Sequence, residues 1–98
     1  MKKIKLTLYI TGQTQRSSNA IINLNRICEE EFQGRCELTI VDVLTQPQVA
    51  EDEMILATPT LVKEMPPPVR RVIGDLSNRN KVLVSLNLIG DHDFGWGK

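Results

Sequence analysis

The chain is short of nearly everything that side-chain catalysis requires. It has one histidine, His92, so neither a histidine metal set nor a nucleophile–histidine pair with a third orienting group can be assembled around it. Its two cysteines, Cys28 and Cys36, do not form the C-x-x-C motif whose activated thiolate drives disulfide exchange. The loop Thr11-Gly12-Gln13-Thr14-Gln15-Arg16 lacks the glycine spacing and the lysine of a phosphate-binding loop. Charge of one sign is also missing. Twelve basic and twelve acidic side chains give a net charge of zero. That excludes the basic excess on which electrostatic nucleic-acid binding depends, and it removes one barrier to self-association. No apolar run approaches the roughly 20 residues of a membrane-spanning helix. The start, Met1-Lys2-Lys3-Ile4-Lys5-Leu6-Thr7, is too polar for the core of a signal peptide. A cytoplasmic protein with no membrane contact, no cofactor and no metal is expected, with both cysteines reduced and structural.

What is present is a pattern of elements. Ile4, Leu6, Leu8 and Ile10 alternate with Lys5, Thr7 and Tyr9, which predicts a strand. After the polar loop, Ser17 or Ser18 is expected to cap a helix. Ile21, Leu24, Ile27, Cys28 and Phe32 recur every three or four residues along it, and Gly34 ends it. Glu29, Glu30 and Glu31 fall in its last turn, where the helix dipole disfavours acids. Leu38 to Leu44 reads as a second strand, apolar on both faces and therefore expected at the centre of a sheet. Strand, helix and strand make a βαβ unit. Pro47 suits the first turn of a short helix that turns Val49, Ala50, Met54 and Ile55 inward. A chain of 98 residues is expected to be a single domain, with an ordered core over about 3–90 and a tail over 91–98.

Beyond residue 55 two readings compete. In one, Thr60 to Glu64 and Val69 to Ile73 are antiparallel strands joined through Pro66-Pro67-Pro68, and Ser77 caps a final helix from about Asn78 to Ile89. In the other, the proline block opens a helix and residues 82–89 form a strand. Val82, Val84, Leu86 and Leu88 satisfy a strand period, whereas Val82, Leu83, Leu86 and Ile89 satisfy a helical one. Propensity does not separate them, because the β-branched residues oppose the helix only weakly.

Several segments resemble the KaiB family of circadian clock proteins: Tyr9-Ile10-Thr11-Gly12 with Thr14 and Ser17, Asp42-Val43-Leu44, Ile55 to Leu61, Pro66 to Arg79, and Lys81-Val82-Leu83. The resemblance spans about residues 4–89. It implies an α/β fold of the thioredoxin-like superfamily that is metamorphic. One form is a βαββααβ tetramer, or dimer of dimers, expected in crystals; the other is a βαβαββα thioredoxin-like monomer. The two readings of the C-terminal half look like these two forms, which in fold-switching proteins lie only a few kcal/mol apart.

The resemblance also implies a function. It is a non-enzymatic regulator that binds a KaiC-like ATPase and modulates its phosphorylation state. The basic residues Lys63, Arg70 and Arg71, with Thr60, are expected to face the partner. The fold switch is assigned to Pro59, Gly74, Asp75, Ser77, Asn78, Arg79, Ser85 and Asn87. The thioredoxin-like form would carry a cis peptide before Pro59; the alternative is an ordinary trans turn. The sequence departs from clock relatives at Asn19, near Ile22, at Ser85 and Asn87, and in a tail without the usual acidic run. Those departures motivate a second reading, a stress-adaptation protein with another partner. A thioredoxin-like redox protein is a third. His92 and the acids Asp91 and Asp93 read as tail residues, and Trp96 as an anchor at a contact between copies.

Overall fold

Alternation at the N terminus sets the frame of the molecule. The computed structural model describes residues 3–88, so Ile89, Asp91, His92, Asp93, Trp96 and the 91–98 tail lie outside the described residues. Strand β1 runs over Ile4–Ile10. Its even-numbered side chains Leu6, Leu8 and Ile10 enter the main core, while Tyr9 enters a smaller cluster on the opposite face of the sheet.

Helix α1, Gln15–Phe32, begins earlier than Ser17 or Ser18 would place it. Thr14 is the N-cap: it has extended backbone, and its Oγ1 accepts from the Ser17 backbone N–H at 3.0 Å. Ser17 instead sits inside the helix and is buried, its Oγ accepting from the Thr14 hydroxyl at 3.0 Å. The core stripe is Ala20, Leu24, Ile27 and Cys28, each buried. At the other end Gln33 adopts the left-handed conformation with φ 51°, followed by Gly34 at φ 76°, and the Gly34 N–H donates to the Cys28 carbonyl at 3.1 Å. The chain thereby reverses into β2, Cys36–Asp42.

β2 pairs parallel with β1, Ile4 opposite Cys36 through Ile10 opposite Asp42. It is not central. The strand order is β2-β1-β3-β4, so β2 is an edge strand, with Ile40 exposed on it and Leu44 exposed in the turn just past its end. Apolarity on both faces suggested a covered strand, but coverage depends on what packs above it. Helix α2, Pro47–Asp52, is only six residues long and has no fully buried residue. With Val49 and Ile55 it covers just the cluster of Tyr9, Val41 and Val62. Met54, expected to turn inward, is exposed.

β3, Thr60–Met65, pairs antiparallel with β1, and β4, Arg70–Ile73, pairs antiparallel with β3. β1 and β3 fill the sheet centre; Leu8 and Leu61 are fully buried. Helix α3, Arg79–Ser85, closes the main core with Val82, Leu83 and, just past its end, Leu86. The order is βαβαββα, so residues 82–88 follow the helical period and the strand alternative is not the one present. Val84, a member of the strand face, is exposed. The cap is Asn78, whose Oδ1 accepts from the Lys81 N–H at 3.0 Å, and not Ser77. The helix also stops earlier than residue 89. Asn87 takes a left-handed φ of 59°, its N–H donates to Val84 O at 3.0 Å, and the Leu88 N–H donates to Leu83 O at 2.8 Å. That pair of bonds is a Schellman cap, and asparagine is one of the few non-glycine residues that tolerate its left-handed position.

Candidate functional site

In a thioredoxin-like fold the turn leaving the first strand carries the reactive group. Here that turn is Thr11 to Thr14, without a sulfur atom. The peptide Thr58–Pro59 is cis and lies across from it, with the Thr11 and Thr58 hydroxyls 2.5 Å apart. The loop is fixed from below by Asp42, whose Oδ1 accepts from the Gly12 N–H at 3.0 Å and from the Leu44 N–H at 2.9 Å. Gly12 has φ 62°, and a side chain there would also press on Leu44. This corner is well built and holds hydroxyls, amides and one carboxylate. It has no nucleophile of the type the fold uses for disulfide chemistry.

The thiols lie elsewhere. Cys28 is buried on α1 and Cys36 is half-buried at the start of β2. Burial, a hydrogen bond with Cys28 and the Glu29 carboxylate together push the Cys36 thiol far above its ordinary range. A thiol that holds its proton is a poor nucleophile.

The expected partner-facing residues do not form one exposed cluster. Lys63 is 1% exposed and Thr60 is 3% exposed, with the Thr60 hydroxyl donating to Ala57 O at 2.5 Å. Neither presents a side chain to solvent in this form. Arg70 and Arg71 are exposed on the edge strand β4. Arg71 is engaged: its guanidinium donates to Glu53 O at 2.5 Å and Met54 O at 3.1 Å, clamping the end of α2 to β4. Arg79 lies at the far side, paired with Glu30 and with Glu31, the latter at 3.3 Å. Two of the three glutamates that the dipole disfavours thus meet a cation from α3, which periodicity alone gave no means of seeing.

The segment between β4 and α3 gathers the remaining expected residues. Gly74 has φ 127°, and Leu76 is buried at φ 65°, a left-handed conformation costly for leucine. The Asp75 carboxylate accepts from the Ser77 N–H at 3.1 Å, and hydrogen bonds from Ser77 hold it below the usual carboxylate range. Asn23 of α1 donates to Asp75 O at 2.8 Å. Asn78 and Arg79 then open α3, Ser85 ends it and Asn87 caps it. All but Pro59 of the residues expected in a switch therefore fall on one connected stretch. Asn23, Glu30 and Glu31 complete its contacts from α1 and were missed because each acts across about fifty positions of sequence.

Beside β4 the open face of the sheet forms a shallow groove around Val62 and Val69, rimmed by Glu53, Glu64 and Arg71. Thr7 donates to Glu64 at 2.9 Å. Burial, then Glu53 and Glu64, raise the Tyr9 hydroxyl above its ordinary value, opposed by Arg71. Among the described residues no group of three or more histidine, cysteine or acidic side chains could hold a metal, and no helix is long and apolar enough to cross a membrane.

Comparison with known proteins agrees with this geometry. The family model of the KaiB domain matches residues 7–88. The circadian clock protein KaiB3 of Synechocystis is 52% identical over 89 residues, covering 91% of this chain and 87% of that protein. The circadian clock oscillator protein KaiB of Thermostichus vulcanus is 56% identical over 88 residues, covering 90% of this chain and 82% of that protein. Among solved structures, the N-terminal domain of Synechococcus elongatus SasA superposes with a TM-score of 0.70 at 24% identity, covering 91% of this chain and 88% of that one. Mitochondrial thioredoxin 3 of Saccharomyces cerevisiae superposes with a TM-score of 0.69 at 13% identity, covering 91% of this chain and 81% of that one. These two likenesses define the fold as thioredoxin-like.

Proposed function

The chain belongs to the KaiB family, and from that membership we propose that it is a non-enzymatic regulator that docks, in the βαβαββα form, on a KaiC-like ATPase and modulates its phosphorylation state. One observation carries the reading. The corner where this fold performs thiol chemistry is intact and hydrogen-bonded, yet is made of Thr11, Gly12, Gln13 and Thr14. A scaffold kept without its reactive group serves recognition. The relatives named as clock proteins support the kind of partner. Within the proposal, exposed Arg70 supplies a charged contact, and Arg71 keeps α2 and β4 in register with each other.

The metamorphic behaviour belongs to the same proposal. The stretch from Gly74 to Asn87 holds α3 in place by one left-handed cap, one asparagine N-cap and a few links to α1. In the alternative tetramer residues 82–89 would be a strand, and their two hydrophobic periods permit both states. By mass action a tetramer gains with concentration and a monomer-binding partner draws the population back.

Size-exclusion chromatography of the full chain with a KaiC-like ATPase and ATP, after a day of incubation, tests the docking. Co-elution is expected, and Arg70→Glu should weaken it by at least about tenfold, in the range of a moderate interface residue. Separate elution of the wild-type chain at all concentrations would defeat the proposal.

A further inference from the structure

Strand β4 closes one side of the sheet, and its outer edge meets no further strand among the described residues. The register fixes which of its backbone groups turn outward. The Gly74 N–H donates to Pro59 O at 2.9 Å, and the same register continues through Thr60 opposite Ile73, Leu61 opposite Val72, Val62 opposite Arg71 and Lys63 opposite Arg70. Bonded and non-bonded pairs alternate along an antiparallel ladder. Arg70 and Val72 therefore turn their N–H and C=O groups toward β3, whereas Arg71 and Ile73 turn theirs away from it. No backbone group of another described residue bonds to the outward groups. An open edge of this kind is a template for one more strand.

The side chains along the edge differ between the two faces. Arg70 and Val72 lie on the face covered by α1 and α3, where Val72 is buried in the main core and Arg70 is exposed. Lys81 of α3 is exposed too, and it lines the same shallow hollow as Val72 and Ile73. Asp75 also lines that hollow, but its carboxylate accepts from the Ser77 N–H at 3.1 Å. Arg71 and Ile73 lie on the opposite, open face. The Arg71 guanidinium is tied to the end of α2. Ile73 is 57% exposed, and Val69, just before the strand, is 60% exposed. One face of the edge is thus cationic and the other apolar.

We propose that the outer edge of β4 binds an extended acidic segment of another protein, added to the sheet as a further strand. The backbone of that segment pairs with the N–H and C=O groups of Arg71 and Ile73. Its acidic side chains fall on the helix face beside Arg70 and Lys81. The apolar side chains that alternate with them cover Ile73 and Val69. A second copy of this chain fits poorly, because two β4 edges side by side bring four guanidinium groups to one seam. The site shares Arg70 with the docking proposed above but requires neither the ATPase nor a nucleotide.

The probe is an acetylated, amidated hexapeptide of alternating glutamate and valine, titrated into the isotopically labelled full chain. Amide NMR should show the N–H signals of Arg71 and Ile73 moving most and exchanging more slowly, while those of Arg70 and Val72, already bonded to β3, move little. The same peptide with alternate amides N-methylated keeps every side chain but cannot form the ladder. It should bind at least about tenfold more weakly. Arg70→Glu should weaken the glutamate peptide by at least about fivefold and favour a peptide with lysine in place of glutamate. Lys81→Glu should act in the same direction. Equal binding of the plain and N-methylated peptides would overturn the proposal, because charge alone would then hold them. Shifts that spare Arg71 and Ile73, or no binding at all, would overturn it too. Peptide binding without co-elution of the ATPase would defeat the docking alone, and co-elution without peptide binding would defeat the β4 site alone.

Discussion

Single residues decide where the elements begin, stop and titrate. Asn78, not Ser77, satisfies the first turn of α3. Asn78→Ala should cost about 1 kcal/mol, typical of a lost N-cap, and lower the melting temperature by about 4–8 °C. Ser77→Ala should remain within about 0.5 kcal/mol as a surface change. Paired thermal melts of the two variants measure the contrast. Ionisation has a definite sign at both ends of the pH scale. Cys36 and Tyr9 are raised from ordinary values of 9.0 and 10.0. The folded chain keeps those protons where the unfolded chain begins to lose them, so the contribution of these two groups is level below pH 9.0 and falls as the pH climbs above it. Asp75 has the opposite sign. It is lowered from 3.8, so its contribution holds above that value and disappears as the pH falls through its folded range. Urea midpoints across alkaline pH should fall less steeply in Cys36→Ser, which removes one of the two titrations.

At the scale of elements, long contacts replace local preference. α1 is a core helix by its own periodicity, and Leu24, its one leucine, is 1% exposed. Leu24→Ala should cost about 2–5 kcal/mol, read from urea unfolding, because it leaves a cavity between α1 and the sheet. α3 has only seven residues and depends on its caps and on Val82, Leu83 and Leu86. Such a helix is too short to be stable by itself in water. Asn87→Arg places a residue less suited to the left-handed region at the cap. It should therefore destabilise the helical arrangement of 79–88 and, within the proposed switch, move the balance toward the assembled form, and Ser85→Gly should move it the same way by weakening the helix itself. Sedimentation velocity with NMR secondary shifts over 60–88 reads both changes. Unaltered profiles for both variants would remove this stretch from any switch. The Arg79 links to Glu30 and Glu31 are half-exposed and should contribute at most about 1 kcal/mol. Arg79→Ala should therefore shift the urea midpoint modestly at low salt and less at high salt.

For the whole molecule, the βαβαββα order joins a βαβ unit to a β-hairpin and a final helix across β1 and β3. Much of this is legible in the sequence. The alternation of Ile4 to Ile10, the stripe from Leu24 to Cys28 and the turn residues around Pro66 each bear their period or punctuation locally. So does the missing C-x-x-C after β1. Other features are set only when elements meet. β2 carries apolar residues on both faces, yet lies at an edge because α2 is too short to cover it. Lys63 resembles a surface cation and is enclosed because β3 is central. Two arginines are engaged across the fold, Arg71 in the clamp on the end of α2 and Arg79 in the pairing with α1. The sequence by itself determined the two N-terminal strands, the long helix between them and the absence of thiol chemistry at the first turn, since those depend on neighbours three or four positions away. Only the tertiary structure decided that residues 79–85 coil into a helix. From Val82 onward the side chains satisfy two periods equally, and the choice falls to the surface of α1 and β4 that buries Val82, Leu83 and Leu86 together with the left-handed cap at Asn87.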